Sequence, residues 1–178
     1  MIIVLSCMLL AGNLLAQTSR LAMQYFETGE FEKAASLFQE LYEKDRRSNF
    51  YFDKYIESLL AMESYGEAEK VVMRRLKKEG NNLALYVTQG KILEAQFKDD
   101  DAQKLYSEAI KKMAPDRLTI IKLGNEFVKM NKFDLAIKTY ERGSKLLKDD
   151  IVFSYNLGDL YRRKNDTEKM IERQKKSR

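Results

Sequence analysis

Few side chains in this sequence have the chemistry needed for catalysis. Histidine, the commonest acid/base residue and metal ligand, is absent from all 178 residues, and Cys7 is the single cysteine. Neither a Ser/His nor a Cys/His pair is therefore possible, and no glycine-rich phosphate loop follows a strand pattern. We expect no enzyme activity and no bound cofactor.

Asp99, Asp100 and Asp101 form an acidic run that suggests a metal site. A calcium loop, however, needs spaced oxygen ligands and a closing glutamate, which this run lacks. Acidic residues are also favoured in the first turn of a helix, because they interact with the helix dipole. We therefore interpret the run as a helix start and expect no metal site.

The bulk composition favours long helices. Charged residues make up 33% of the chain and there is one proline, which argues against a turn-rich β-protein. Lys and Arg outnumber Asp and Glu by 32 to 27, and the net charge of +5 is spread along the chain. This mild excess suggests solubility and an acidic partner rather than dedicated binding of a polyanion.

The first sixteen residues, Met1 to Ala16, form an apolar segment that contains no charged side chain. The segment ends in a small residue and is shorter than the roughly 20 apolar residues of a membrane span, as is typical of a secretory signal peptide. We predict a signal peptide over residues 1–16, an exported protein, and no membrane span after cleavage. A retained helix that caps the array is an alternative. Lipidation at Cys7 is not expected, because six preceding residues are too few for a lipoprotein leader.

The rest of the chain repeats with a period of 34 residues. In one column a small residue is followed four positions later by a large one, and two further columns share the same period. Three columns with one period indicate an array of similar supersecondary units. The columns are Ala34, Ala68, Ala102 and Ala136, with Phe38, Val72, Tyr106 and Tyr140 after them; Ala22, Ile56, Gly90, Gly124 and Gly158; and Tyr25, Leu59, Leu93, Phe127 and Tyr161.

This pattern resembles the tetratricopeptide repeat, and its clearest copy is Leu123-Gly124 with Phe127, Phe133, Ala136 and Tyr140. The resemblance implies an all-α fold, a right-handed superhelical solenoid of hairpins that each join a helix A to an antiparallel helix B. The predicted array occupies residues 17–178 after leader removal. Its repeats cover about 15–48, 49–82, 83–116, 117–150 and a partial fifth over 151–178.

The small residues in the second column, such as Gly90, Gly124 and Gly158, are expected where helices A and B cross. A glycine inside a helix costs about 1 kcal/mol relative to alanine, so its recurrence indicates a compensating close approach. Two repeats depart from the pattern. Ile56 replaces the small residue of repeat two, and Asp99 replaces a large residue of repeat three, where Phe97 is a candidate to fill the space.

The fifth repeat is incomplete in its helix B. Residues 170–178 lack the large residue expected near Gln174. This helix is either a polar cap of the array, or the array continues beyond the sequence, and we favour the second interpretation.

The resemblance also implies where a partner would bind. The A helices of such arrays line the concave face, chiefly through positions 2, 5, 9, 12 and 13 of each repeat. We predict that a protein or peptide segment with an acidic stretch lies along repeats four and five; the alternative is that these residues are only solvated helix faces. The positions hold Lys91 and Glu94 in repeat three; Ile121, Asn125, Val128 and Lys129 in repeat four; Tyr155, Asp159, Arg162 and Arg163 in repeat five; and Asp53 and Glu57 in an acidic repeat two.

Two more specific functions fit less well. Asn125 and Asn156 match two of the five places of a clamp that binds a C-terminal carboxylate in some family members, but Ile121 occupies the place of a lysine. RNA binding is the alternative function, suggested by the basic residues 74–78 and 162–164. Helical repeats that read RNA run closer to 35 residues, and the first basic cluster lies at a helix end where cations complement the dipole. We expect no nucleic-acid partner.

A leader followed directly by such repeats resembles exported proteins of the bacterial envelope. By this analogy we expect the protein in the periplasm or outer envelope of a bacterium. The sequence identifies neither the partner nor the oligomeric state.

Overall fold

The structure is a computed structural model that describes residues 2–166, 169–171 and 175, with side chains from residue 15 onward. Within these residues the regular elements are all helical, so the predicted all-α fold class is confirmed. The bounded helices are α1 (Ile2–Glu27), α2 (Phe31–Lys44), α3 (Asn49–Ala61), α4 (Tyr65–Leu76), α5 (Leu83–Ala95), α6 (Asp99–Lys111), α7 (Arg117–Lys129), α8 (Phe133–Leu147) and α9 (Ser154–Arg163).

The helix starts recur at the period of the sequence. Helices α3, α5 and α7 begin at residues 49, 83 and 117, the first residues of predicted repeats two, three and four. Helices α2, α4, α6 and α8 begin at residues 31, 65, 99 and 133. Both series step by 34 residues, and the predicted relationship to the tetratricopeptide repeat is confirmed.

The end of every helix A has the same backbone geometry. The second residue after the helix adopts a positive φ, and the next amide donates to a carbonyl five residues earlier, as in a Schellman motif. In repeat four, for example, Asn131 has φ 56° and the amide of Lys132 lies 2.9 Å from the carbonyl oxygen of Phe127. At the ends of the A helices the residues with positive φ are Gly29, Glu63, Phe97, Asn131 and Asn165, again spaced by 34.

The A helices of repeats two to four also begin with the same kind of N-cap residue. Ser48, Asn82 and Asp116 precede α3, α5 and α7, and each side chain accepts a hydrogen bond from an amide of the first turn. The shortest of these bonds joins Asp116 to the amide of Thr119 at 2.7 Å. Such N-cap residues satisfy amides that have no partner inside the helix, which explains why these helices begin where they do.

The chain divides into two compact units, and the first is Met1–Val71. Its helix α1 runs without a break through the predicted leader and helix A of repeat one. Helix α2 packs against both α1 and α3. Ala22 and Ala34 are fully buried between α1 and α2, and the rings of Tyr42 and Phe52 lie 5.5 Å apart between α2 and α3.

The second unit, Val72–Arg178, contains the end of α4 and helices α5 to α9. Helix α5 pairs with α6 and α7 pairs with α8, while α5 also contacts α7, and α8 contacts α9. One apolar core runs through these hairpins, with the Tyr106 and Phe127 rings 5.5 Å apart between repeats three and four. The Tyr140 and Phe153 rings lie 5.2 Å apart between repeats four and five.

Two of the predicted glycines, Gly90 and Gly124, lie on helix A directly against an aromatic ring of helix B. A Cβ atom on Gly90 would lie 2.2 Å from a ring carbon of Tyr106, and one on Gly124 would lie 2.5 Å from a ring carbon of Tyr140. Real Cβ atoms do not come this near to other heavy atoms. The glycine therefore makes room for the aromatic residue of helix B in the same repeat.

Of the two departures from the pattern, Ile56 is buried, 3% exposed, in the core of the first unit. The expectation that Phe97 fills the space left by Asp99 is wrong. Phe97 occupies the turn after α5 with φ 61°, and its side chain is 92% exposed. The positive φ required by the turn directs the residue away from the hairpin, and Asp99 simply begins α6.

The predictions for the end of repeat five concern residues 172–174 and 176–178, which lie outside the described residues. Among the residues that are described, no helix combines the length and the apolar character needed to cross a membrane.

Candidate protein-binding site

The predicted binding residues lie on three A helices of the second unit. Helix α5 carries Lys91 and Glu94, helix α7 carries Asn125 and Lys129, and helix α9 carries the remaining four. Those four, Tyr155, Asp159, Arg162 and Arg163, follow the spacing of one helix face, since residues three, four, seven and eight apart lie on the same side.

Helix α9 holds the densest group of charges among these residues. Asp159 accepts hydrogen bonds from Arg162 at 2.6 Å and from Arg163 at 2.8 Å. The hydrogen bond from Arg162 is the main reason why the pKa of the Asp159 carboxyl lies below its usual value; burial opposes this effect, and the hydrogen bond from Arg163 adds to the lowering. One carboxylate thus orients two guanidinium groups and leaves one positive charge uncompensated.

Arg163 and Lys164 also join repeat five to repeat four. The guanidinium carbon of Arg163 lies 5.9 Å from the centre of the Phe133 ring, within the range of a cation–π contact. The ammonium of Lys164 forms an ion pair with Asp134. Arg162 has 67% of its side chain exposed and makes neither contact, so it is the arginine better placed to meet a ligand.

Tyr155 is an aromatic residue of the predicted site, and it is 85% exposed. It lies one turn before Asp159 on α9. Leu118, in the first turn of α7, is likewise exposed. Leu118 occupies position 2 of repeat four, so the same position rule would have found it, although the sequence analysis did not single it out. Apolar residues therefore accompany the charges on these helices.

Glu94 was predicted to contact a ligand, but in the structure its charge is already paired within the protein. Its carboxylate forms an ion pair with Lys132, which immediately precedes helix α8 of repeat four, and both side chains are about one quarter exposed. The Lys132 ammonium lies 5.4 Å from the centre of the Tyr106 ring. Lys91 is half-buried on the same helix. The Glu94–Lys132 pair links two repeats, and Lys132 is a residue that sequence reasoning missed.

Asn125 and Asn156 converge on one hydroxyl. The Tyr140 hydroxyl donates to the Asn125 side-chain oxygen at 3.0 Å, and Asn156 also hydrogen-bonds Tyr140. Burial raises the pKa of Tyr140, while the hydrogen bond from Asn156 works in the opposite direction. These two amides hold α7 and α9 to the ring between them, which gives a structural reason for both.

The remaining residues of repeat four are divided between surface and core. Lys129 is exposed and forms an ion pair of 2.8 Å with Glu126. Ile121 and Val128 are partly buried and pack against the apolar core. The surface of α7 near its C-terminal end is therefore contributed mainly by Lys129 and Asn125.

The acidic residues of repeat two lie in the first unit. Asp53 is exposed, and Glu57 pairs with Lys54 at 2.7 Å. The lysine reduces the acidic character that the sequence suggested for this helix.

The charged runs considered for other chemistry have structural roles. Arg75 of the first basic cluster is 8% exposed and pairs with Glu79 at 2.9 Å. Asp101 of the acidic run pairs with Lys104 at 2.7 Å, and this hydrogen bond lowers the pKa of Asp101. Among the described residues, no group of three or more potential ligands is arranged so that it could hold a metal ion.

Comparison with known proteins gives one family match. The sequence model of the ChAPs, the Chs5p-Arf1p-binding proteins, matches residues 10–143 of this chain. No curated protein is significantly similar in sequence.

A search of solved structures finds several that are similar to this chain at low identity. MamA from Desulfovibrio magneticus RS-1 is 16% identical, with 92% of each chain covered and a TM-score of 0.46. Another MamA crystal structure is 16% identical over 93% of this chain and 91% of its own, with a TM-score of 0.45. YrrB, described as a TPR protein with an unusual peptide-binding site, is 19% identical over 89% of this chain and 81% of its own, with a TM-score of 0.39. Similarity at this level does not indicate what the chain binds.

Proposed function

Because the chain belongs to the ChAPs family of Chs5p-Arf1p-binding proteins and consists of tetratricopeptide-type hairpins, we propose that it is a scaffold that binds another protein through the A helices of repeats four and five. The family is named for binding two proteins, which agrees with this role. Each hairpin contributes one helix A, so a ligand that crosses several of them gains contacts from more than one repeat.

The observation that carries the proposal is the group of exposed side chains on α9. Tyr155 offers a large amphipathic ring, and aromatic residues and arginines contribute most of the binding energy in many interfaces. Arg162 is held in place by Asp159 before any ligand arrives. Less side-chain entropy is lost on binding when a group is already oriented.

The ligand that fits this group best is an extended or helical protein segment with an acidic stretch and at least one apolar side chain. Arginine binds carboxylates through two parallel hydrogen bonds, and the exposed Lys129 adds positive charge on α7. Tyr155 on α9 and Leu118 in the first turn of α7 supply exposed apolar contact area on the same two helices.

The proposal includes a location outside the cytoplasm, in the periplasm or outer envelope of a bacterium. It is supported by the apolar segment that ends at Ala16. Cell fractionation followed by N-terminal sequencing tests it. A chain that begins at Gln17 and is released from the periplasm supports the location, and a cytoplasmic chain with Met1 intact contradicts it.

Site-specific photocrosslinking tests the binding site. Tyr155 is replaced by p-benzoylphenylalanine in the native host, and proteins crosslinked on irradiation are identified by mass spectrometry. We expect one or a few discrete proteins whose crosslinked segment is acidic. Reversing two charges, Lys129→Glu with Arg162→Glu, should reduce this crosslinking at least tenfold.

The chain offers matched controls on its B helices. Lys104 on α6 is 76% exposed, and the same photoreactive residue there should give no comparable product. Lys104→Glu with Lys138→Glu changes the net charge equally and should leave crosslinking at position 155 intact. Equal products from both positions, or capture that survives the Lys129 and Arg162 reversals, would refute the binding site. A product that nuclease digestion removes would favour RNA binding instead.

A further inference from the structure

The junctions between successive hairpins carry an excess of positive charge in the second unit. At each junction a helix B ends and the next helix A begins, and the three junctions are residues 74–82, 108–118 and 141–152. Together they contain ten Lys and Arg residues and six Asp and Glu residues. The turns at the opposite end of the hairpins, residues 97–101 and 131–134, contain two cations and four acids. Positive and negative charge are thus concentrated at opposite ends of these hairpins.

Contacts between the junctions show that they lie together. The Tyr86 hydroxyl donates to the carbonyl oxygen of Gly80 in the first junction, and it accepts a hydrogen bond from Lys112 in the second at 2.6 Å. The guanidinium of Arg142, in the third junction, donates to the carbonyl oxygen of Lys111 in the second at 3.1 Å. The three junctions therefore form one surface of the unit, which we call the basic end.

Most acids of the basic end are already engaged within the protein. Five of the six form an ion pair or a hydrogen bond, and these are Glu79, Glu108, Asp116, Glu141 and Asp149. Five lysines of the same surface are exposed, and none of them forms an ion pair with another described residue. They are Lys77, Lys78, Lys111, Lys145 and Lys148. The basic end therefore presents positive charge that the protein itself does not neutralise.

Helix dipoles account for part of this charge but leave Lys148 unexplained. Lys111 and Lys145 lie in the last turns of α6 and α8, where a cation is stabilised by the dipole. Lys148 is the C-cap of α8 and adopts the left-handed conformation, with φ 52°. This position favours glycine or asparagine. An exposed lysine gains little packing in return for the strain, which indicates that its charge is used.

Exposed aliphatic residues accompany the lysines. Ile151 is 56% exposed in the loop that follows Lys148, and Leu118 is 65% exposed in the second junction. The Asp149 carboxylate accepts hydrogen bonds from the amides of Ile151 at 3.0 Å and Val152 at 3.1 Å. These bonds fix the loop and hold Ile151 at the surface. Lysines next to projecting apolar side chains are typical of surfaces that bind lipid, because the cations meet the headgroups while the apolar groups enter the boundary with the acyl chains.

We propose that the basic end binds the surface of a membrane that contains anionic phospholipids. The lysines face the lipid phosphates, Ile151 enters the headgroup region, and the helices of the second unit stand end-on to the bilayer. Surfaces for single-stranded nucleic acid combine cations with aromatic rings for stacking. The most exposed apolar residues of the basic end are aliphatic instead, which favours lipid. Arg162 lies at the opposite end of α9, so the proposed protein-binding site does not depend on this contact.

Flotation of the natively produced chain with vesicles tests the proposal. The vesicles are phosphatidylcholine alone or phosphatidylcholine with about 30% phosphatidylglycerol, which supplies a negative surface potential. We expect stronger binding to the anionic vesicles. This difference should disappear as the salt concentration is raised from about 0.05 to 0.5 M, because salt screens exposed charges. Binding that does not depend on anionic lipid overturns the proposal.

Charge reversal of three lysines of the basic end identifies the contact. Each lysine near an anionic surface contributes a factor of roughly five to partitioning, so the triple variant should bind at least about a hundredfold more weakly. It combines Lys111→Glu, Lys145→Glu and Lys148→Glu. A control with the same net charge reverses exposed lysines away from the basic end and should lose less than about fivefold. It combines Lys98→Glu, Lys104→Glu and Lys138→Glu. Residues 1–16 are the same in both variants, so their own affinity for lipid cancels, and equal losses in the two variants overturn the proposal.

A tryptophan reporter tests the role of Ile151. The sequence contains no tryptophan, so a single one introduced by Ile151→Trp reports on this position alone. Its emission should shift to shorter wavelength when anionic vesicles are added, and lipids with brominated acyl chains should quench it. Lys104→Trp is the control and should show neither effect. Vesicle binding without a shift at position 151 overturns the proposed orientation. Binding to RNA but not to vesicles, abolished by the three lysine reversals, overturns the choice of partner.

The two proposals can fail separately. Photocrosslinking at Tyr155 is expected to persist in the triple lysine variant, because none of its substitutions touches α9. Loss of vesicle binding with the crosslink intact leaves the protein-binding site standing, and the reverse result leaves the membrane contact standing.

Discussion

Gly124 controls how closely two helices of repeat four can approach. The Tyr140 ring occupies the space that a side chain at position 124 would fill. This ring is 1% exposed and packs on Phe153, and its hydroxyl donates a hydrogen bond to Asn125. A ring fixed on several sides cannot move aside for a larger neighbour. Close packing of this kind makes added volume as costly as a cavity.

We therefore expect Gly124→Leu to lower the free energy of unfolding by about 1–3 kcal/mol. The matched control is Gly66→Leu, because a Cβ at Gly66 in α4 meets no heavy atom within 4 Å. The control should be neutral or stabilising by up to about 1 kcal/mol, since leucine favours helix over glycine. Urea unfolding followed by circular dichroism measures both changes. Equal effects of the two substitutions would contradict the role given to Gly124.

Phe97 carries a backbone conformation that its residue type disfavours. The turn after α5 requires φ 61°, and a bulky L-residue in this left-handed region is strained. The exposed ring gains little from packing in return. Other turns of the series use Gly29, Asn131 or Asn165, which tolerate this conformation.

Replacing Phe97 by asparagine should raise the free energy of unfolding by about 1 kcal/mol, because strain is relieved and little buried area is lost. The opposite change, Gly29→Ala at φ 80°, should lower it by a similar amount. Thermal or urea unfolding of the two variants checks both signs. A loss of stability in Phe97→Asn would mean that the ring makes a stabilising contact.

Asp159 links stability to pH. Its pKa is lowered in the folded state by Arg162 and Arg163, whereas the pKa of an aspartate in an unfolded chain is about 3.9. A group with a depressed folded pKa stabilises the fold fully above the unfolded pKa, and this contribution disappears as the pH falls through the folded pKa.

The wild type should accordingly be more stable than Asp159→Asn at pH 7, and the difference should shrink below about pH 4. Urea unfolding at steps between pH 7 and pH 2.5 measures it. Asp150→Asn, which removes an exposed carboxylate outside this group, is the control. A difference between wild type and Asp159→Asn that is independent of pH would show that the carboxylate charge is not its origin.

At the scale of the helices, three caps set the starts of α3, α5 and α7. Asn82 accepts a hydrogen bond from the amide of Ala84 at 3.2 Å and also donates to Glu79. Asn82→Ala should lower the free energy of unfolding by about 0.5–2 kcal/mol, because the first turn of α5 loses its partner. Asn81→Ala, one residue earlier and exposed, should change stability by less than about 0.5 kcal/mol. Denaturant unfolding of the pair distinguishes the cap from a general effect of losing an asparagine.

The helices themselves were predictable because each repeats the same local signals at a fixed spacing. The columns containing Ala34 and Gly124 locate the hairpins, and they do so without any knowledge of how repeats stack. The position rule for helix A likewise identified Tyr155 and Arg162, which the structure leaves exposed.

Contacts between repeats could not be predicted in the same way. The Glu94–Lys132 pair and the Arg163–Phe133 contact join residues 38 and 30 positions apart, and they depend on how one hairpin is rotated against the next. Phe97 was misinterpreted for a related reason. Its residue type suggests burial, but the positive φ of the turn, a feature of the repeat rather than of phenylalanine, decides its direction.

At the scale of the whole molecule, the proposed binding site lies within one of the two compact units, Val72–Arg178. We expect Arg162→Glu to remove the crosslink at position 155, and Leu21→Glu, a substitution in the other unit Met1–Val71, to leave it intact. Photocrosslinking of both single variants checks this, and loss of the crosslink in Leu21→Glu would contradict it.

The uniform turn between helices A and B has a consequence for how this protein can change in length. In repeats three and four helix B begins two residues after the residue with positive φ. The turn is therefore too short to accommodate an extra residue without changing the position of helix B. One inserted residue would rotate every later side chain of that helix by about 100° and carry its apolar stripe away from the core. Gain or loss of 34 residues instead rejoins equivalent positions. Evolution of such a chain is therefore expected to proceed by duplication and loss of complete hairpins, with intermediate lengths eliminated because they do not fold.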